Sequence, residues 1–104
     1  MTGKELYELL YSKWNKSYDI QLKKVKEQIF CQIMWKYLEQ ASFPMTEQEY
    51  FKHFDAVANY ITAWGSEQEI IAYVQTTKER PRLGKAVSIP LSFKDKDSEW
   101  TLDN

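Results

Sequence analysis

Three segments of this 104-residue chain open alike, with a Thr or Ser followed three residues later by Glu: Thr2 and Glu5, Thr46 and Glu49, Ser66 and Glu69. In such a capping box the hydroxyl accepts from a free N–H of a helix's first turn, and the carboxylate accepts from the N–H of the cap residue. The spacing therefore predicts three helix starts. After the first, Leu6, Leu9, Leu10 and Trp14 recur at helical intervals, with Glu8 and Lys13 on the other side and an end near Asn15. Met45 precedes the second box and can pack on Tyr50, while Gly65 precedes the third and supplies a helix stop. The second and third helices are expected at about residues 47 to 64 and 67 to 80. Their inward stripes are Tyr50, Phe54, Val57, Ala58 and Ile61, then Ile70, Ile71 and Val74 with Tyr73 beside them.

Between the first two helices the period changes. Tyr18, Ile20 and Leu22 alternate with Asp19, Gln21 and Lys23, the pattern of a strand with one wet face. A lone strand leaves its backbone unpaired, so it needs a partner. Residues 29 to 38 supply one through a turn at Val25 to Glu27, with Ile29, Cys31, Ile33, Trp35 and Tyr37 on one face. Steps of four also connect Ile29, Ile33, Tyr37 and Phe30, Met34, Leu38, so a helix competes there; the β-branched and aromatic content favours the strand. Past Pro81, the run Ala86 to Leu91 is apolar and extended, and Pro90 restricts any strand it forms to a sheet edge. The expected fold is α+β: a helix, an antiparallel hairpin, two consecutive helices and an extended segment able to add a short edge strand. Residues 1 to 91 form one domain in this reading, and residues 92 to 104 a flexible, mostly charged and polar tail, with Trp100 the one exception to the expected disorder.

Composition narrows the chemistry. Fourteen Lys and Arg against fifteen Asp and Glu leave a net charge of −1, so no global field draws a polyanion or an anionic membrane. Cys31 is the one cysteine, which excludes an intrachain disulfide and a Cys-based structural zinc site. No apolar run approaches the roughly 20 residues of a membrane span, and the N-terminus lacks the apolar core of a secretory signal. A soluble protein of a reducing compartment is expected. Three glycines, at positions 3, 65 and 84, cannot build a dinucleotide fingerprint, and Gly84-Lys85 lacks the upstream glycine and the Ser or Thr of a phosphate loop.

Catalytic constellations are equally sparse. His53 is the sole histidine, and its only thiol partner would be Cys31, an interior strand residue against a helix flank; a packed thiol and a half-exposed imidazole explain both. The acidic pairs Glu47 with Glu49 and Glu67 with Glu69 sit in first helical turns, where the dipole and the boxes already account for them. Asp95, Asp97 and Glu99 imitate the opening of a calcium loop, but Trp100 stands where the turn needs glycine. Aromatics reach 15%, and Trp14, Tyr18, Trp35 and Tyr37 interleave with lysines as a stacking platform would; at periodic positions in so short a chain they serve a core better. No cofactor and no metal is expected, and nucleic acid is disfavoured.

Charge is nevertheless polarised. Residues 13 to 26 are basic and residues 39 to 69 acidic, and a second basic cluster follows: Lys78, Arg80, Arg82 and Lys85 against Glu79 alone. Two arginines around a proline, followed by Gly84, make a rigid loop whose guanidinium forks suit a carboxylate or phosphate. The competing reading is that these side chains bridge to the acidic helices of the same molecule or lie solvated.

Four runs, MTGKELYELLYSKWNKSYDIQ, MWKYLEQASFP, DAVANYITAWG and TKERPRLGKAVSIPL, together resemble a small family known only as a domain of unknown function, found in cyanobacteria and in plastid-targeted proteins of plants and algae. The resemblance spans about residues 1 to 91. It implies an α+β fold and a photosynthetic cell, cytoplasmic in a cyanobacterium because no transit peptide precedes Met1, and plastid for plant relatives. It carries over no activity, cofactor or catalytic residue. The function expected is that of a non-enzymatic interaction or assembly factor, docking through the Arg80 to Leu91 segment and exposed aromatics, with Arg80, Arg82, Gly84 and Lys85 as its binding residues. Its partner would be a protein with an acidic surface, the factor itself being monomeric; the alternative is a module for a small anion or phosphorylated ligand at the same loop.

Overall fold

A computed structural model describes residues 1–92 of the chain. The order is α1 (Gly3–Trp14), β1 (Tyr18–Val25), β2 (Gln28–Tyr37), α2 (Glu47–Ala63), α3 (Glu67–Thr76) and β3 (Val87–Leu91), the α+β arrangement expected, with residues 28 to 37 a strand. The predicted tail, with Trp100 and the calcium-like acids, lies outside the described residues except for Ser92.

Two of the three boxes close as drawn. Glu5 N donates to Thr2 Oγ1 (3.1 Å) and Thr2 N to Glu5 Oε1 (2.8 Å); Thr46 and Glu49 repeat this at 3.2 and 2.8 Å. The third does not close. Gly65 (φ +67°) ends α2 in a Schellman motif, in which Ser66 N donates to Ile61 O and Gly65 N to Thr62 O. Closing one helix takes Ser66 to φ −101° and ψ 8°, away from the extended backbone a side-chain cap requires, and its hydroxyl makes no cap bond. Glu69 is thereby released, and its carboxylate accepts instead from Ser92 N, beyond the end of β3.

The third helix stops at Thr76 rather than continuing to residue 80. A helix reaching Arg80 would set the Pro81 ring against the carbonyl of Thr77 and hold Arg80 in the region proline disfavours. Thr77 turns extended at ψ 147°, and its Oγ1 accepts from Glu79 N at 3.1 Å.

The three strands form one antiparallel sheet in the order β1-β2-β3. Leu22, Cys31 and Ile89 stand in one row, and Ile20, Ile33 and Val87 in the next. These rows join Leu6, Leu10, Tyr50, Phe54, Ile61, Ile70 and Val74 in one core. The opposite face is polar, where Gln21 Nε2 donates to Gln32 Oε1 (2.6 Å) and Gln32 Nε2 to Ser88 Oγ (3.1 Å). Lys26 adopts the positive φ (56°) that a two-residue hairpin demands at its first central position.

The expected single face of β2 holds for Ile29, Cys31 and Ile33 but not beyond. Tyr18 pairs with Tyr37 while Ile20 pairs with Ile33, so β2 bulges at Met34 to Lys36 opposite Asp19, and Trp35 and Tyr37 are only half-buried. The helical stripe of α3 narrows likewise: Ile70 and Val74 are buried, whereas Ile71 stays partly exposed a hundred degrees round from Ile70.

Candidate functional site

The loop singled out in the sequence is a fixed turn. Thr77 begins it, the Trp14 indole Nε1 donates to the Glu79 carbonyl across 3.1 Å, and the Pro81 ring is buried. Arg82 N then donates to Lys85 O (3.0 Å) and Lys85 N to Arg82 O (2.7 Å), closing a minimal hairpin. Gly84 holds its corner at φ +79°, and no atom lies within 4 Å of where a Cβ would sit, so backbone conformation rather than space requires glycine there. Leu83, at the tip, is 91% exposed.

Arg80, Arg82 and Lys85 are all exposed and come together around a small notch of about 80 Å³, with Glu79, Ala86 and Val87 as its remaining walls. Among the described residues none of these three cations forms a salt bridge, so the acidic helices of the same molecule do not absorb them. The notch is well below the roughly 300 Å³ at which clefts begin to hold drug-sized ligands. It has room for one carboxylate or phosphate group.

Cys31 and His53 do not form a reactive pair. Burial raises the Cys31 thiol to about 12, so it carries no thiolate at neutral pH. His53 is committed to the edge of the sheet: its Nε2 lies 2.5 Å from the Ile20 carbonyl, which assigns the proton to that nitrogen. One helical turn earlier, the Tyr50 hydroxyl donates to the Tyr18 carbonyl at 2.8 Å. Tyr50 and His53 together tie α2 to the Tyr18 and Ile20 carbonyls at the start of β1. Burial, with the Asp19 carboxylate nearby, pushes the Tyr50 phenol far up.

The cluster that sequence reasoning missed lies beside this edge. Asp19 sits opposite the bulge, its Oδ1 3.8 Å from His53 Nε2 and without a hydrogen-bond partner. Desolvation raises its carboxyl, against the lowering effects of the Ile20 backbone bond, His53 and Lys36. Alternation alone put Asp19 on the wet face. No sequence signal joins Asp19 to His53, which sit on separate elements with charged and polar neighbours of their own.

Trp14, Tyr18 and Tyr37 of the interleaved aromatics pack on one another. The Trp14 and Tyr18 rings meet edge to face at 6.2 Å, those of Tyr18 and Tyr37 at 6.1 Å, and Lys16 Nζ lies 4.5 Å from the Tyr37 centroid. Trp14 thus joins the core and, through its indole N–H, the basic turn.

A family model described as a domain of unknown function, DUF3067, matches residues 4–101. The chain belongs to this family. It is also similar to the Alr2454 protein of the cyanobacterium Nostoc sp. strain PCC 7120, whose solution NMR structure shares 57% identity and a TM-score of 0.88 over 96% of each chain. No curated protein matches the chain. The DUF3067 fold is thereby shared with a cyanobacterial relative, and among the described residues no helix is long and apolar enough to cross a membrane.

Proposed function

We propose that this DUF3067 protein is a non-enzymatic docking or assembly factor that holds an acidic partner protein through Arg80, Arg82 and Lys85. The observation that carries the reading is three exposed cations on a turn fixed at both ends, with no salt bridge to spend them on among the described residues. A rigid backbone has already lost the entropy that binding would otherwise cost, and guanidinium forks pair with carboxylates in two-point geometry. The cyanobacterial relative supports the cytoplasm of a photosynthetic cell as the setting. Affinity purification from cyanobacterial extract tests the proposal. A protein recovered with the wild type and lost with Arg80→Ala/Arg82→Ala supports it; equal recovery with both, or no recovery, overturns it.

The notch favours a second reading, a site for one small anion. Titrating the labelled protein with inorganic phosphate decides this: saturable amide shifts at Arg82 to Lys85 below millimolar concentration are expected of such a site, and their absence removes it.

A further inference from the structure

On another part of the surface, α1 and α3 enclose a trough of about 450 Å³ that is unrelated to the basic turn. Its floor is Leu9 and Ile71, both expected in the core and both left partly exposed. Glu5, Glu8 and Glu67 stand around it. The Glu5 carboxylate is held below its ordinary range by the Thr2 N–H and hydroxyl, so it stays ionised. Glu67 faces the Met1 amine at 2.9 Å, while Glu8 is exposed and has no salt bridge among the described residues. Three carboxylates against one ammonium make the rim negative.

The trough runs along α1 from Glu5 to Ser12, two helical turns or about 10 Å at 1.5 Å per residue. That length suits a segment of chain. Apolar surface at its base rewards burial of large side chains, and the acidic rim attracts cations while repelling an acidic segment.

We infer that the α1/α3 trough is a docking site for a basic amphipathic segment of a partner protein, one that lays apolar side chains on Leu9 and Ile71 and sets Lys or Arg beside Glu5, Glu8 and Glu67. A helix carrying leucines at intervals of three and four, flanked by lysines, has that chemistry. The occupant is thus opposite in charge to the acidic partner proposed for the turn, and the two sites are separable by mutation.

The probe is a synthetic 14-residue Leu/Lys amphipathic helix, titrated into the labelled full-length chain and read by amide shifts. Expected are saturable shifts at Leu9, Ser12 and Ile71, at least tenfold weaker binding by Glu8→Lys, a similar loss by Ile71→Asn, and no change with Arg82→Ala. Melting temperatures within a few degrees of the wild type certify both trough variants as folded. Two control peptides bracket the chemistry, one with Ser for every Leu and one with Glu for every Lys, and neither should saturate the site. Equal binding by the serine peptide, shifts confined to other surfaces, or insensitivity to Glu8→Lys overturns the inference. Shifts at the trough on raising the concentration of the protein alone also overturn it, because they would make the occupant a second copy of this chain.

Discussion

The basic turn and the acidic trough are opposites in shape as well as in sign. The turn is convex, closed by two backbone hydrogen bonds around Gly84, and its notch of about 80 Å³ has room for no more than one carboxylate or phosphate group. The trough is concave, several times larger at about 450 Å³, and lined by Leu9 and Ile71, both left partly exposed. A binding surface can be made by fixing a backbone so that charges project from it, or by setting two helices apart so that apolar side chains remain between them. The first device depends on a few bonds in one segment, the second on the packing of the helix layer. They should fail under different mutations.

The largest effect is expected at Gly3. A Cβ there would press on Asp55, 2.6 Å from its backbone N and 2.9 Å from its Cα, and would also collide with the carboxylate oxygen that accepts from Gly3 N. Backbone cannot yield as a flexible side chain does, so Gly3→Ala should cost about 2 kcal/mol, a fall in Tm on the order of 10 °C for a domain of this size. The start of α1 would lift from α2, and the trough would lose definition along that wall. The turn, tied to the other end of α1, should keep slow amide exchange at Arg82 and Lys85. Calorimetry and hydrogen exchange read the two halves separately; equal loss of protection at both surfaces would show that they are one cooperative unit.

That close approach was invisible in the sequence, where Gly3 reads as an ordinary residue behind a cap. Helix starts were legible because a box is a local device: Thr2 with Glu5 and Thr46 with Glu49 specify their own hydrogen bonds whatever packs around them. Ser66 shows the limit, since the same pattern was overruled by a neighbouring helix end that claimed its backbone. The hairpin was legible through its alternation, but the bulge opposite Asp19 was not, because a bulge belongs to the pairing of two strands rather than to either one. The basic turn could be picked out from its charges and its Pro-Arg-Leu-Gly run. The trough could not, since Leu9 and Ile71 fit core stripes equally well until a trough is seen between α1 and α3.

A smaller effect, confined to the turn, is expected from Trp14→Phe. Phenylalanine keeps most of the ring packing against Tyr18 but removes the indole N–H that reaches the Glu79 carbonyl. The loss should be about 1 kcal/mol in stability, with faster exchange from Glu79 to Lys85 and unchanged peptide binding at the trough. If exchange in the turn is unaltered, Pro81 and the short hairpin hold it without the tryptophan, and the link between α1 and the turn carries no mechanical role.

The smallest effect should come from Asp19, which belongs to neither surface and therefore calibrates both. Its carboxyl is raised above the ordinary 3.8 by burial, so the folded state holds the proton more tightly than the unfolded chain does. Asp19 is accordingly least costly below pH 3.8, and its penalty grows as the pH climbs through the raised folded value. Once ionised, the side chain places a charged oxygen, Oδ1, where it has no hydrogen-bond donor. Asp19→Asn removes that charge while leaving an oxygen to accept from the Ile20 backbone. The variant should melt a few degrees higher than the wild type at pH 7, and the difference should close at pH 3, where both side chains are neutral in both states. A variant that melts lower at pH 7 would mean that the 3.8 Å contact with His53 outweighs the burial of the carboxylate, and that the contact of α2 with β1 is held by charge as well as by the Tyr50 and His53 hydrogen bonds.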